Sequence, residues 1–248
     1  MKEIRLSEDE KRRYHRQTII PGWGMEAQLK LKGTKIGVVG AGGLGSFILM
    51  HLTAAGFGEI ILIDRDKVEL NNLNRQVLHW ENDIGTNKSD SAERKLKEMN
   101  SSVKIISYAE EINDKNIDRI FSETDGLIDA LDNFPDRFLI NEFAVQRSIP
   151  LFHGAVWGFE GRAATIIPGK TACLRCLYPE IPCQETVPVI SVSPGLIASI
   201  QVTEAIKYFT GIGGETLSGQ LLIYDGTSLS FLKAQIERKS TCDVCSRY

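Results

Sequence analysis

Short apolar runs alternate with helical patterns along the first half of the chain, as in successive β-α-β units. Residues 35–40 and 59–64 are apolar in their interiors, which is typical of parallel strands buried on both faces. The helical patterns carry end signals, since Gly56 follows one of them and Pro135 stands just inside the start of another. The predicted strands of this half are residues 35–40, 59–64, 103–107 and 126–131, and the predicted helices are residues 43–55, 87–99 and 135–147.

The pattern changes after residue 150. Two strands follow one another without a helix between them, which makes the predicted sheet mixed. Residues 171–194 form a Cys- and Pro-rich stretch that is too long for an ordinary loop, and we expect it to be functional. The remaining elements are predicted strands at 151–156 and 162–167, a helix at 195–210, and a hairpin over 220–236 that turns at Asp225-Gly226.

These elements predict an α/β fold with a doubly wound, mixed sheet and a C-terminal extension. No Ser- or Gly-rich linker marks an internal boundary, so residues 1–248 are predicted to form a single domain. Its core is expected at about residues 30–160 and the extension at about 161–248.

Composition narrows the class of protein. Of 248 residues, 42% are hydrophobic and 25% charged, which argues against disordered, collagen-like and coiled-coil classes. The net charge of −3 provides no overall basic field, so we expect no DNA partner. The N-terminal residues lack the apolar core of a signal peptide, and no apolar run is suited to a bilayer, so we expect a cytoplasmic protein without membrane attachment.

A glycine-rich turn follows the first predicted strand. Gly40, Gly42 and Gly45 match the G-x-G-x-x-G pattern between a strand and a helix, and Gly43 adds a further small residue. Such turns let the backbone approach a phosphate at a helix N-terminus. Asp64 ends the next strand, where an acid can bind ribose hydroxyls, so the sheet is predicted to be Rossmann-like. The turn alone fits NAD, FAD, SAM or ATP.

Polar residues cluster where further strands end. Arg and Asn side chains can hold the β- and γ-phosphates of a triphosphate, whereas a dehydrogenase has no need for so many phosphate donors. Asp132, after another strand, is a natural Mg²⁺ ligand. The remaining candidates are Asp66, Asn72, Arg75 and Gln76 in the segment 64–76, and Lys88 at the start of the next helix.

The set of motifs resembles the ubiquitin-activating-enzyme-like adenylyltransferases, whose bacterial members are MoeB, ThiF and HesA. The resemblance runs from residue 13 to residue 245 and rests on RYHRQ at 13–17, the glycine-rich turn, the segment 64–76, Lys88 and ALDN at 130–133. It implies an ATP-dependent enzyme that adenylates the C-terminal glycine carboxylate of a small ubiquitin-fold protein, with release of pyrophosphate.

The resemblance also implies roles for single residues. Asp64 holds the ribose, and Asp132 holds Mg²⁺. The glycines of the turn and Asp66 belong to the nucleotide site. Arg16 reaches into the partner subunit's site, which implies a homodimer. The residues expected to bind the phosphates are Asn72, Arg75, Gln76 and Lys88.

Five cysteines divide as four plus one. Cys173, Cys176, Cys242 and Cys245 form two C-x-x-C pairs, the thiolate set that a structural Zn²⁺ prefers. A redox role is disfavoured because neither pair is expected to open a helix after a strand. Cys183 matches the family cysteine that takes up the activated carboxyl group or joins a persulfide step. Residues 187–194 depart from the family pattern, and a bystander thiol is the alternative.

The predicted function is activation of a ubiquitin-like sulfur carrier ending in Gly-Gly, for molybdopterin or thiamine biosynthesis. A separate sulfur donor is expected because the chain ends just past Cys245. The alternatives are a tRNA threonylcarbamoyladenosine dehydratase type, a peptide-adenylating relative, an NAD-dependent dehydrogenase and a non-enzymatic nucleotide-binding scaffold. The four histidines are interpreted as packing or hydrogen-bonding groups: His15, His51, His79 and His153.

Overall fold

A computed structural model describes residues 4–180 and 187–246. Eight strands are found in this part of the chain: Lys35–Val39 (β1), Glu59–Ile63 (β2), Lys104–Tyr108 (β3), Gly126–Asp129 (β4), Leu151–Trp157 (β5), Glu160–Ile166 (β6), Gln220–Asp225 (β7) and Ser230–Gln235 (β8). The helices are Glu8–Arg13 (α1), His15–Thr18 (α2), Gly24–Gly33 (α3), Gly43–Ala55 (α4), Lys88–Met99 (α5), Ile117–Phe121 (α6), Phe134–Arg147 (α7), Leu174–Leu177 (α8) and Val192–Thr210 (α9).

All eight strands lie in one mixed sheet, in the order β3-β2-β1-β4-β5-β6-β7-β8. Strands β1 to β5 are parallel to their neighbours, whereas β6, β7 and β8 are added in antiparallel pairs. The predicted mixed, Rossmann-like sheet is therefore confirmed. The strand order reverses between β1 and β4, and doubly wound sheets bind their ligands at the carboxyl ends of strands at this point.

The central strands are buried on both faces. Val38 and Leu62 pack in one apolar cluster with α4 and α9, whereas Val39 and Ile63 pack in a second cluster with α6 and α7. This alternation follows the two-residue period of a strand and explains the continuous apolar runs in the sequence. The two layers of helices therefore fix the carboxyl ends of β1, β2 and β4 rigidly.

The predicted helix ends agree well with the structure. Helix α4 ends at Ala55, and Gly56 adopts the left-handed conformation after it. Helix α7 has Pro135 in its first turn, and the Asn133 side chain accepts a hydrogen bond from the Asp136 amide. No helix in the described ranges has both the length and the hydrophobicity to span a bilayer.

The structure differs from the predictions mainly at the periphery. Helices α1, α2, α3, α6 and α8 were not predicted, because they are too short to show a repeating helical pattern of apolar residues. A capping box between Ser7 and Glu10, with the S-x-x-E pattern, was an available signal for α1. The β7–β8 connection spans residues 226–229, with Leu229 at a φ of +52°, so the predicted two-residue turn is wrong.

Candidate functional site

A cavity of about 890 Å³ opens at the carboxyl ends of β1, β2 and β4. Its wall includes Gly40, Asp64 and Asp132, which lie directly after or close behind these three strands. The predicted polar residues therefore converge because parallel strands end at one edge of the sheet. The other predicted residues in the wall are Gly42, Gly43, Asp66, Arg75, Gln76 and Lys88.

The glycine-rich turn is tightly packed against its surroundings. Gly40 has a φ of +102°, and a Cβ there would lie 2.6 Å from the Ala130 carbonyl oxygen. A Cβ on Gly45 would lie 2.1 Å from the Gly40 carbonyl oxygen, so only glycine lets α4 start this close to β1. Gly42 precedes the first turn of α4 without a side-chain cap, which leaves backbone N–H donors and the positive helix end for an anion.

Asp64 fixes the shape of this turn. Its carboxylate accepts hydrogen bonds from the backbone amides of Ala41, at 2.7 Å, and Asp66, at 2.8 Å. Burial raises the pKa of Asp64, and the charge of Lys88 offsets part of this effect. Each carboxylate oxygen has further acceptor capacity, so Asp64 can bind a hydroxyl while it holds the turn.

A cationic and amide-bearing wall faces the turn. Lys88 is buried at the start of α5, and its Nζ lies 2.9 Å from Asp66 Oδ2. Arg75 donates to the Asn71 carbonyl oxygen at 2.8 Å and packs near Gly43. Gln76 is 4% exposed, and its Oε1 has no partner among the described residues. A buried amide with an open acceptor, beside two cations and a helix N-terminus, fits a polyphosphate with its counter-ion.

Asp132 is exposed in the loop between β4 and α7 and forms part of the cavity wall. The loop is held from behind, because Asp129 accepts a hydrogen bond from the Leu131 amide at 3.0 Å. Arg137 donates to the Leu131 carbonyl oxygen at 2.5 Å. A carboxylate presented on a fixed loop opposite anion-binding groups is suited to a hard divalent cation.

The four paired cysteines form a compact cluster in the second apolar region. Their sulfur atoms all lie within 4.8 Å of one another, and the side chains are buried. The Cys173 and Cys242 sulfurs are 3.7 Å apart, and those of Cys176 and Cys245 are 3.5 Å apart. A tetrahedral zinc site with bonds of about 2.3 Å has sulfur–sulfur edges of roughly 3.8 Å, so the cluster could hold such a metal ion.

The thiol pKa values show why a cation matters there. Burial raises the pKa of Cys173 and Cys245, so without a cation these thiols keep their protons, whereas at Cys242 burial is outweighed by hydrogen bonds from backbone amides, which lower the pKa. Cys173 precedes the short helix α8, but residues 167–172 separate it from the end of β6, so this pair does not open a helix directly after a strand. The four buried thiolates would fill all the coordination positions of a tetrahedral ion, which is typical of a structural metal site.

A family model described as the ThiF family matches residues 14–244. The chain belongs to the ThiF family. It is 39% identical to the SAMP-activating enzyme E1 of Haloferax volcanii, over 94% of this chain and 88% of that one. It is also 39% identical to the sulfur carrier protein adenylyltransferase of Thermus thermophilus, over 98% of this chain and 93% of that one. A crystal structure of E. coli MccB with ATP matches with a TM-score of 0.84 and 25% identity, over 94% of this chain and 74% of that one.

Several predicted site residues of this ThiF-family protein lie away from the cavity wall. Arg16 is exposed on α2. Asn72 is buried, and its side chain bonds to Asn71 and the Glu69 amide, which gives no support to direct phosphate contact. Gly45 supports the turn rather than lining the cavity. Cys183 lies outside the described residues.

The half of the cavity beyond Asp132 was not predicted. Its residues lie far apart in the sequence, so no local motif signals them. Arg137 could have been noticed, since it is a cation five residues after Asp132. The apolar and aromatic residues that line this part are Phe134, Val156, Trp157, Tyr178, Val187 and Val189, and the charged ones are Asp136, Arg137, Glu160 and Arg162.

Proposed function

We propose that the protein is an ATP-dependent adenylyltransferase that activates the C-terminal glycine carboxylate of a ubiquitin-like sulfur-carrier protein. A carboxylate oxygen of the carrier attacks the α-phosphorus of ATP, the bond to the β-phosphate oxygen breaks, and pyrophosphate leaves. The observation that carries the proposal is the single cavity in which the N-terminus of α4, the cations Arg75 and Lys88, and the acid Asp132 line a common wall. The names of the two relatives at 39% identity support the carrier as substrate.

Each group has a defined task in this proposal. The turn containing Gly40 and Gly42 binds phosphate through its backbone, and Asp64 binds the ribose hydroxyls while it keeps the turn in shape. Arg75, Gln76 and Lys88 bind the phosphates, and Gly43, Gly45 and Asp66 support them. Such groups accelerate the reaction by orienting the α-phosphorus and by neutralising the charge that develops on the departing pyrophosphate.

Asp132 would hold Mg²⁺, which supplies further charge neutralisation at the phosphates when it is bound. The loop behind Asp132 is fixed by Asp129 and Arg137, so the carboxylate need not be reorganised. Lys88, paired with Asp66 at 2.9 Å, would turn part of its hydrogen bonding from that carboxylate to phosphate oxygens. Because Asp64, Asp66, Asp132 and the polyphosphate are all negatively charged, binding at this site would depend on the accompanying Mg²⁺.

The cysteine cluster is proposed to hold structural Zn²⁺. Cys173 and Cys176 stand 69 residues before Cys242 and Cys245, so the ion would tie the C-terminal segment that follows β8 to the segment that contains α8. Four thiolates complete a tetrahedral shell and leave no open coordination position. This ion would stabilise the domain rather than take part in adenylation.

Further parts of the proposal concern assembly and sulfur transfer. Arg16 would reach the neighbouring subunit's phosphates in a homodimer, which its exposed position on α2 permits. The Cys183 thiol would attack the carbonyl carbon of the acyl-adenylate, forming a thioester and releasing AMP. A separate protein would deliver sulfur for molybdopterin or thiamine biosynthesis. We also propose that residues 1–248 act as a single adenylation domain, which the continuous sheet supports, and that the protein is cytoplasmic.

The test is carrier-dependent ATP–pyrophosphate exchange. Wild-type protein is assayed with a panel of ubiquitin-fold proteins ending in Gly-Gly, and each carrier is paired with a version that lacks its last glycine. Exchange that requires the intact tail supports the proposal, whereas AMP formation on a short peptide alone would favour a peptide-adenylating enzyme. Tight NADH binding with no exchange would sink the assignment.

A further inference from the structure

A buried hydrogen-bonded chain leads from β4 to the wall of the cavity. The β4–β5 register places Asp129 beside His153, and Asp129 Oδ2 lies 2.6 Å from His153 Nδ1. His153 Nε2 in turn lies 3.4 Å from the Tyr178 hydroxyl. Asp129 and His153 are fully buried, whereas Tyr178 is half-buried and lines the cavity. The function proposed above uses Asp129 to hold the Asp132 loop, but it gives no task to His153 or Tyr178.

Asp129, at the buried end of this hydrogen-bonded chain, determines which atom is the donor in each hydrogen bond. Burial raises the pKa of Asp129, but the charge of Arg137 and the hydrogen bond from His153 outweigh it, and the net pKa is lowered. The carboxylate is therefore only an acceptor, and His153 Nδ1 carries the hydrogen. Burial lowers the pKa of His153, so Nε2 of the neutral ring accepts. Tyr178 must then donate its hydroxyl hydrogen to His153.

Because Tyr178 donates its hydrogen to His153, the lone pairs of its hydroxyl oxygen remain available to accept a hydrogen bond. The ring is held in place by Phe134, whose centroid lies 5.0 Å away in an edge-to-face arrangement. Phe134 follows Asp132 by two residues, so Tyr178 stands next to the proposed reacting end of the cavity. The hydroxyl oxygen is thus a positioned, uncharged hydrogen-bond acceptor in a wall that it shares with apolar and charged side chains.

The neighbouring polar groups are engaged or of the wrong type. Arg137 offers only donors, and it is bound to the carbonyl oxygens of Leu131 and Gly154. Arg162 likewise offers only donors, whereas Asp136, which is bound to the Asn133 side chain, and Glu160 are carboxylates that would repel the carrier's own carboxylate. A diglycine tail has no side chains, so a site can recognise it only through its backbone groups and its small size. An N–H of the tail that enters this apolar part needs an acceptor, because an unpaired buried donor is costly.

We propose that the Tyr178 hydroxyl oxygen accepts a hydrogen bond from the backbone N–H between the last two glycines of the carrier, with His153 and Asp129 as its positioning residues. The inference rests on the proposed function and deepens it, since it names the group that reads the diglycine backbone. The contact directs the terminal carboxylate toward the Asp132 end of the cavity. Tyr178 is therefore a binding residue for the carrier and not for the nucleotide.

The first experiment separates the Michaelis constants of the two substrates. In Tyr178→Phe, the KM for a Gly-Gly carrier in the exchange assay is expected to rise about tenfold, with the KM for ATP unchanged. The matched control is Tyr208→Phe, because Tyr208 lies on α9 outside the cavity wall. An unchanged carrier KM in Tyr178→Phe would overturn the inference, as would an equal rise in the KM for ATP.

The second experiment removes the donor from the substrate. A semisynthetic carrier in which an ester replaces the last amide lacks this N–H. With the ester, the carrier KM of wild-type protein should rise about tenfold, whereas the carrier KM of Tyr178→Phe should not rise further. Equal losses in both proteins would show that the hydroxyl contacts something else.

His153→Asn tests the positioning role, since asparagine retains a donor for Asp129 but has no atom to reach Tyr178. It should raise the carrier KM and leave the KM for ATP unchanged, with no added effect in the Tyr178→Phe background. Additive increases in carrier KM would show that His153 does not act through Tyr178. Wild-type protein that gives no exchange with any carrier would instead refute the proposed function itself.

Discussion

His79 Nε2 lies 2.9 Å from the carbonyl oxygen of Ala41, so a buried imidazole holds the glycine-rich turn from behind. Lys95, which offers only donors, lies 3.3 Å from Ser91 Oγ, and Ser91 lies 3.0 Å from His79 Nδ1. Ser91 therefore donates to Nδ1, and Nε2 carries the hydrogen that Ala41 accepts. Ser91 and Lys95 lie on α5, the helix that begins with Lys88. The hydrogen bonds through His79 therefore connect the glycine-rich turn to the helix that carries Lys88.

Replacement of this histidine should weaken nucleotide binding without removing any nucleotide contact. In His79→Leu the Ala41 carbonyl oxygen loses its donor, and the turn is no longer fixed on that side. We expect the Kd for ATP, measured by calorimetry, to rise about fivefold to tenfold. His51→Leu on α4 is the matched control, because His51 lies outside the cavity wall. Unchanged ATP affinity in His79→Leu would contradict the role of this contact.

Acidification should destabilise the protein below the ordinary pKa of histidine. Burial lowers the pKa of His79 and of His153, so the unfolded chain takes up protons that the folded chain refuses. Stability is therefore fully present above about pH 6.5 and is lost as pH falls toward the lowered values. The free energy of unfolding should fall by up to about 1.4 kcal/mol per pH unit for each histidine.

Urea unfolding at pH 7.5, 6.5 and 5.5 measures this slope. His79→Leu should reduce the slope relative to wild type, whereas His15→Leu, at an exposed position on α2, should leave it unchanged. A wild-type stability that is constant over this range would rule out the explanation.

The Lys88 ammonium should discriminate ATP from AMP. Lys88 is buried beside the glycine-rich turn, and Lys88→Met keeps the length of the side chain but removes its charge. Wild-type protein should bind ATP more tightly than AMP, and this preference should fall about tenfold or more in the variant, since bonds to charged groups are the stronger ones. Lys97→Met, on the exposed side of α5, is the control. Equal losses for ATP and AMP would indicate general damage to the site.

The cysteine cluster should contain one zinc ion per chain after dialysis. A bond between segments 69 residues apart closes a long loop, and its loss should cost about 4 kcal/mol of unfolding free energy by the loop-entropy estimate. Cys176→Ser should lose the metal, and elemental analysis with thermal unfolding checks both effects. Cys183→Ser is the matched control, because it removes the one cysteine outside the set and should retain zinc. Wild-type protein that contains no zinc and is no more stable than Cys176→Ser would refute the proposed site.

The parts that the sequence predicted well are those encoded locally. Helix α4 was predicted with its observed bounds, because an apolar strand, a glycine-rich turn and Gly56 are all adjacent in the chain. The Asp129–His153 pair was not predicted, because it depends on the register between β4 and β5, 24 residues apart. Asp132 was found through its strand-end position, whereas Tyr178 enters the same cavity from beyond α8, which no sequence pattern indicates.

A complementation experiment tests the proposed homodimer. If Arg16 acts across the subunit interface, Arg16→Ala and Asp132→Ala each abolish exchange in their own homodimers. A mixed dimer then contains one site with both native residues, because the wild-type Arg16 comes from the chain that lacks Asp132. Equal mixing after reversible dissociation should restore about a quarter of the wild-type activity, since half the dimers are mixed and each has one complete site.

The control mixes Asp132→Ala with Lys88→Met, two changes expected in the same site. Here both chains of every mixed dimer keep an intact Arg16, but no chain has both Asp132 and Lys88, so activity should stay at the level of the Lys88→Met protein present. Recovery in this control, or none in the Arg16 mixture, would show that Arg16 does not act in the partner's site. Sedimentation at assay concentration supplies the independent readout, because a monomer of unchanged activity leaves no partner for Arg16 to reach.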